Sequence, residues 1–316
     1  MATSPFKSFI PYLIRTGTIA DLDDYKSTDP TGSSWTAHGF VPPMPGEQPL
    51  TVNLETGGKL LCVQINDRIL PGKVRDEELK KRVAKLEAAE ARKVSKKEYA
   101  QLRDEVEFEL LPKAFIRRTR VYVAILKGQR VGENMMLVFT SSQKKADEVV
   151  SLINVVTGMP QPPWKIQTGW PVVGRLTTLA RDSVLEPDDG DAIFEATDSA
   201  VLKGKDKQTI RIKDKDLGDS DVVSLLKEGY EVHEIGVGMI DDRGDGHAMT
   251  FVLNTNLTFK RITFPSVKQH DDLYAEAVFV MPNLREMLGS FFSLPDDGGF
   301  GLLPDMPAAT DDEEEL

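Results

Sequence analysis

The sequence predicts an α+β protein: a helical hairpin joined to mixed β-sheet regions. Three observations lead there. Strand-like and helix-like segments segregate into blocks instead of alternating strictly. Two consecutive amphipathic stripes, from near residue 76 to residue 111, have only a short joint between them. Beyond them, apolar residues return with a period of two. At 316 residues, with 40% hydrophobic and 28% charged side chains, the chain is long enough for a real core in one large domain or two to three small ones.

Taken in order, "FKSFIPYLIR" reads as a strand followed by a polar loop rich in Asp, Thr and Ser. The prolines of "GFVPPMPGEQP" (residues 39–49) argue against regular structure there. "KLLCVQINDRILP" is a buried strand stopped by Pro71. Its lone cysteine, Cys62, has no disulfide partner in the chain and reads as a buried structural thiol.

The first helix is expected to begin near Asp76, with Leu79, Val83 and Leu86 at i, i+4 and i+7 along one apolar stripe. The second has a specified start. Ser95 is the N-cap, Glu98 completes a capping box, and Val94 and Tyr99 occupy the positions of a hydrophobic staple. Its stripe runs through Leu102, Val106 and Leu110 until Pro112.

Val121, Val123 and Ile125 then alternate, "KGQ" turns, and a second apolar run returns, which makes a β-hairpin. "SSQKKADEVVSLINVVTG" is a helix capped by Ser142 and ended at Gly158, with Ala146, Val149, Val150, Ile153 and Val156 facing inward. "MPQPP" reads as a linker or sharp corner. Short strands follow at "AIFEATDSAVLKG", "QTIRIKD", "YEVHEIGVGMI", "AMTFVLN" and "LTFKRITF", with a helix at "SDVVSLLKEG" and a last helix from about Asp272 to Phe292. The organisation read from this pass is an N-terminal α+β segment (1–72), the helical hairpin (73–112), a β-hairpin and helix (113–160), a C-terminal α+β region (161–294) and a disordered acidic tail (295–316).

Charge is unevenly spread. The formal net charge is −11 at pH 7, yet Lys73–Arg103 holds 11 basic residues against 6 acidic ones. The acids gather elsewhere, as in the terminal "DDEEEL". The start of the chain lacks the pattern of a secretory signal, and no stretch approaches the roughly 18 apolar residues of a membrane span. These features lead us to expect a cytoplasmic protein with no membrane association.

Catalytic signatures fail. No phosphate-binding loop, nucleophile elbow or zincin helix is present. His38, His233, His247 and His270 lack metal-ligand spacing. "DDRGDGH" (residues 241–247) is a β-turn, not a calcium loop. No catalytic residue, metal or cofactor is expected. Carboxylate pairs such as those in "GDSDVV" could hold Mg²⁺ in principle, which keeps a metal-dependent nuclease as a third reading.

What remains is the basic hairpin and "PKAFIRRTR" after it. A solvated surface is the plain explanation. The functional one is sequence-independent duplex-DNA binding, driven by release of condensed counterions as Lys and Arg meet phosphates. The hairpin could instead dock on an acidic protein as an interaction adaptor without a DNA role.

The run from Ile69 to Arg118 resembles the RdgC recombination-associated proteins. It carries Ile69-Leu70-Pro71, Lys85-Leu86-Glu87, Ala91-Arg92-Lys93, Asp104-Glu105-Val106, Leu110-Leu111-Pro112 and Ala114-Phe115, with Gly39-Phe40-Val41-Pro42-Pro43-Met44 upstream. That resemblance implies a ring-shaped homodimer whose positively lined hole encircles double-stranded DNA and restrains RecA-promoted strand exchange, a nucleoid-associated role. It implies Arg92 and Lys93 as phosphate contacts at the hairpin tip. Lys96 and Lys97 join them from the residues themselves, and Lys80, Lys81, Lys85, Lys113, Arg117 and Arg118 extend the basic surface. Phe115 is expected to plug a subunit contact, with an intrachain core position left open. Arg211, Lys213 and Lys215 alternate and are expected to share one strand face, with Asp214 and Asp216 on the other.

Overall fold

The computed structural model describes residues 4–15, 22–46, 49–54, 58–127, 133–157, 164–166, 171–185, 193–206, 208–240, 246–264 and 272–291. The tip of the "KGQ" turn, Gly158, the "MPQPP" corner, residues 241–245 of "DDRGDGH" and the acidic tail lie outside the described residues.

In chain order the elements are β1 (Ile10–Arg15), β2 (Thr36–Val41), β3 (Thr51–Asn53), β4 (Lys59–Ile69), α1 (Gly72–Glu90), α2 (Lys96–Leu110), β5 (Phe115–Lys127), β6 (Glu133–Val138) and α3 (Gln143–Thr157). Then follow β7 (Trp164–Lys165), α4 (Val172–Asp182), β8 (Val184–Leu185), β9 (Phe194–Lys203), β10 (Thr209–Ile212), α5 (Ser220–Lys227), β11 (Glu231–Ile240), β12 (His247–Asn254), β13 (Phe259–Thr263) and α6 (Leu273–Phe291). The class is α+β, with two antiparallel sheets and, among the described residues, six α-helices. One sheet has the order β2-β4-β5-β6-β1-β7, with β3 also on β4; the other is β10-β9-β11-β12-β13, with β8 on β9. The expectation of mixed sheets gives way to antiparallel ones, in keeping with the hairpin connections between β5 and β6 and between β11 and β12.

Two compact units emerge: residues 1–20, 42–61 and 122–316, and residues 21–41 and 62–121. The larger one is built on aromatic rings. Phe9 stacks on Phe259 at 4.6 Å, and Phe251 and Phe291 approach Phe259 at 5.3 and 6.0 Å. The backbones of Phe9 and Phe259 exchange two hydrogen bonds of 2.9 Å, tying the stretch before β1 to β13. Each of these rings is buried, and burial of such side chains is the main favourable term in folding.

The smaller unit carries the hairpin. Here β2 pairs with β4 from Thr36 opposite Asp67 to Val41 opposite Cys62. Gly39, Phe40 and Val41 are therefore strand, not loop; the prolines begin only after the last paired residue. A Cβ on Gly39 would collide with the Ser27 backbone, so glycine is what admits this close approach. Cys62 is buried as expected, and burial pushes its thiol pKa up to about 12, which makes it inert near neutrality. Among the described residues no helix is long and apolar enough to cross a membrane.

Candidate nucleic-acid interface

The hairpin starts earlier than its sequence suggests. Pro71, extended at ψ 131°, is itself the N-cap, and its carbonyl accepts hydrogen bonds from the N–H groups of Val74 and Arg75, so α1 opens at Gly72, not near Asp76. It ends at Ala91, whose φ of 51° is left-handed, a conformation usually left to glycine at this position. Four residues on, the expected capping box is present: the Ser95 hydroxyl accepts from the Glu98 N–H, and the Glu98 carboxylate accepts from the Ser95 N–H at 2.8 Å. The Val94 N–H donates to Glu87 at 3.1 Å, pinning the joint to α1.

The two stripes meet only in part. Leu79 and Val106 are buried, whereas Val83, Leu86, Leu102 and Leu110 are half-buried. A lone helical pair closes one narrow seam and leaves the flanks of each stripe wet. Ion pairs supplement it. Arg82 grips Glu109 through two nitrogens at 3.0 and 2.6 Å, and Arg75 approaches Glu107 at 3.7 Å.

At the tip, residues 91–97 contain Arg92, Lys93, Lys96 and Lys97 and no acid. All four cations are exposed. They are not equivalent. Arg92 is held by Glu98 at 2.9 and 2.5 Å and by Glu90 at 2.5 Å, whereas Lys93, Lys96 and Lys97 make no ion pair among the described residues. The Arg92 guanidinium, with the Ser95 N–H, holds the Glu98 carboxyl well below the usual carboxylate range.

Along the hairpin, Lys80 and Lys85 are exposed without an ion pair among the described residues, and Lys81 lies 3.7 Å from Glu78. The positive excess fades away from the tip. Extending the basic span to Leu110 adds Asp104, Glu105, Glu107 and Glu109, so residues 73–110 hold 11 basic and 10 acidic side chains. The cationic excess is thus a property of the tip, not of the whole hairpin.

Downstream, Lys113 is exposed. Arg117 binds Asp67 at 2.9 Å, and Arg118 reaches both oxygens of Asp29 at 2.9 Å. These counter-ions, and Glu98 at the tip, were not anticipated. Asp29 and Asp67 lie far along the chain from their partners, so no spacing rule exposes them; Glu98 was legible only in its capping role. Phe115 is 82% exposed, which excludes the intrachain core position and leaves an apolar ring on the surface beside Arg117.

The three remaining cations belong to the other unit. Arg211 lies on β10 and is exposed, but the strand ends at Ile212, and Asp214 turns left-handed at φ 52°. The expected shared strand face therefore does not form. Lys215 instead pairs with Asp221 at 2.8 Å and Asp219 at 3.6 Å, while Lys213 is exposed. Among the described residues no group of three or more His, Cys, Asp or Glu side chains is placed to hold a metal ion.

Comparison with known proteins adds a family. A family model described as "Putative exonuclease, RdgC" matches residues 18–278. A protein named recombination-associated protein RdgC from Shewanella loihica is 33% identical over 217 residues, 67% of this chain and 66% of that protein. One of the same name from Shewanella halifaxensis is 29% identical over 246 residues, covering 77% and 76%, and one from Shewanella baltica is 34% identical over 209 residues, covering 65% and 63%. The chain thus matches about two thirds of the length of these relatives.

Proposed function

The chain belongs to the RdgC family, and we propose that it binds double-stranded DNA without sequence preference and acts in homologous recombination. In this reading it encircles the duplex as a ring-shaped homodimer, restrains RecA-dependent strand exchange, and resides in the cytoplasm on the nucleoid. The observation that carries the proposal is the tip: four exposed cations within residues 91–97, three of them lysines with no ion pair among the described residues. Ammonium groups on flexible stems suit phosphates and carry no base-reading geometry, which fits binding indifferent to sequence. Lys93, Lys96 and Lys97, with Lys80 and Lys85 on α1, are the principal contacts. Arg92 joins them when a phosphate displaces its carboxylates.

Phe115 supports the dimer. An exposed phenyl ring of this size favours burial against a partner, and a second copy of the chain offers a self-complementary site. The test is a titration of nicked circular and linear duplex against the full chain at rising salt, together with its solution mass. A dimer that stays on circular DNA but slides from linear ends is the expected result; a monomer that ignores duplex at low salt refutes the proposal.

A second reading has one observation behind it, the word exonuclease in the matched family description. It predicts shortening of duplex in the presence of Mg²⁺, where the DNA-coating reading predicts intact duplex. The adaptor reading predicts no retardation of duplex at low salt and a stable complex with a recombination protein.

A further inference from the structure

Apart from the hairpin, the larger unit holds a cavity of about 440 Å³ lined by Lys203, Lys205, Thr209, Glu231 and His233, with Gly204 and Gly229 in its wall. Its construction follows from the strands. Lys203 lies directly across from Thr209 of β10 on one side and Glu231 of β11 on the other, so the three side chains share one sheet face. Pairing shifts between Val232 and Glu234, which makes His233 the extra residue of a β-bulge and re-aims its ring.

The glycines let the walls close. A Cβ on Gly204 would fall 2.9 Å from the Tyr230 ring, and the Tyr230 hydroxyl donates to Gln208 at 2.9 Å, locking the β9–β10 turn to the start of β11. Gly229 adopts φ 90°, and the Lys205 stem crosses it, with Cε 3.7 Å from where a Cβ would stand. Lys205 is exposed and lines the cavity.

The charges do not balance. The lining holds two lysines against one carboxylate, all three exposed, and neither lysine makes an ion pair within 4 Å among the described residues. Burial first, and Lys203 second, pull the His233 pKa below its ordinary value, against the opposing pull of Glu231. An uncharged imidazole still offers an N–H donor.

We propose that this cavity binds a phosphate group, with Lys203 and Lys205 as its charge partners and Thr209 and His233 as hydrogen-bond donors. Charge-assisted bonds to phosphate oxygens are the strong members of their class. The phosphate can come from solution or from a DNA backbone; only the second source rests on the reading above.

Lysine acetylation of the full chain, read by mass spectrometry, tests it in three arms: sodium chloride, sodium phosphate at equal ionic strength, and duplex DNA. Inorganic phosphate is expected to lower labelling of Lys203 and Lys205 by roughly threefold or more while leaving Lys93, Lys96 and Lys97 unchanged. Protection of the cavity lysines by duplex as well assigns the phosphate to DNA; protection by inorganic phosphate alone assigns it to solution. Unchanged labelling of Lys203 and Lys205 in both arms overturns the proposal, and so does an equal fall at every lysine, which is mere screening. If duplex fails to protect the tip lysines while phosphate protects the cavity, the DNA reading falls and the cavity stands.

Discussion

Arg92 and Glu98 face each other across the hairpin joint, two guanidinium nitrogens on two carboxylate oxygens at 2.9 and 2.5 Å. The same carboxylate closes the capping box at Ser95. Glu98 therefore has two roles that a substitution separates: it starts α2, and it occupies the arginine best suited to a phosphate. Replacing Glu98 with Gln should raise duplex affinity, because Arg92 loses a competitor, while weakening the helix start. Fluorescence anisotropy and circular dichroism of one variant read the two effects; a fall in affinity with intact helix contradicts the competition.

The pH response of this pair has a definite sign. The Glu98 pKa in the folded chain is lowered from 4.5, so the pair's contribution is present above that value and is lost only as pH falls through the lower folded-state value. Helicity of the hairpin should therefore hold steady between about pH 8 and 5, and decline only in stronger acid. A transition near neutrality, followed by circular dichroism, contradicts it.

Ala91 ends α1 in a left-handed conformation, which costs an L-residue with a Cβ roughly 1–2 kcal/mol. Ala91→Gly should stabilise the smaller unit by about 1 kcal/mol, seen as a higher denaturant midpoint at unchanged slope. A lower midpoint would mean that the turn is not held left-handed in solution.

Phe115 is so exposed that its removal takes little from the lone chain. Phe115→Ser should change unfolding free energy by no more than about 0.5 kcal/mol when measured at concentrations favouring monomer. It should also shift the monomer–dimer equilibrium toward monomer in sedimentation. An unchanged dimer rules out the plug.

The ring cluster behaves in the opposite way. Phe259 is buried between Phe9, Phe251 and Phe291, and Phe259→Ala should cost about 3–5 kcal/mol by loss of contacts and an unfilled cavity. Equilibrium denaturation checks it. A loss near that of a surface site would show that the stack does not hold the larger unit together.

The sequence disclosed most where one residue type does one local job. The Ser95–Glu98 capping box, the β5–β6 hairpin and the inward face of α3 were legible from spacing alone. It misled where a residue does two jobs. Pro71 both stops β4 and caps α1, so the helix began four residues before the expected Asp76. Phe40 looked proline-blocked yet pairs with Val63, since Pro42 and Pro43 fall just beyond the strand. Alternation over Arg211, Lys213 and Lys215 suggested one face until Asp214 turned the chain. Ion pairs such as Arg118–Asp29, between residues 89 apart, are tertiary facts that no local pattern encodes.

Contact between the hairpin tip and phosphates makes duplex binding salt-dependent in a defined way. Log affinity for two unrelated sequences should fall linearly with log salt, by about 0.9 for each phosphate contact. Lys93→Gln, Lys96→Gln and Lys97→Gln together should flatten both lines by roughly 2 to 3. A slope untouched by the triple variant, or a loss confined to one sequence, would contradict it.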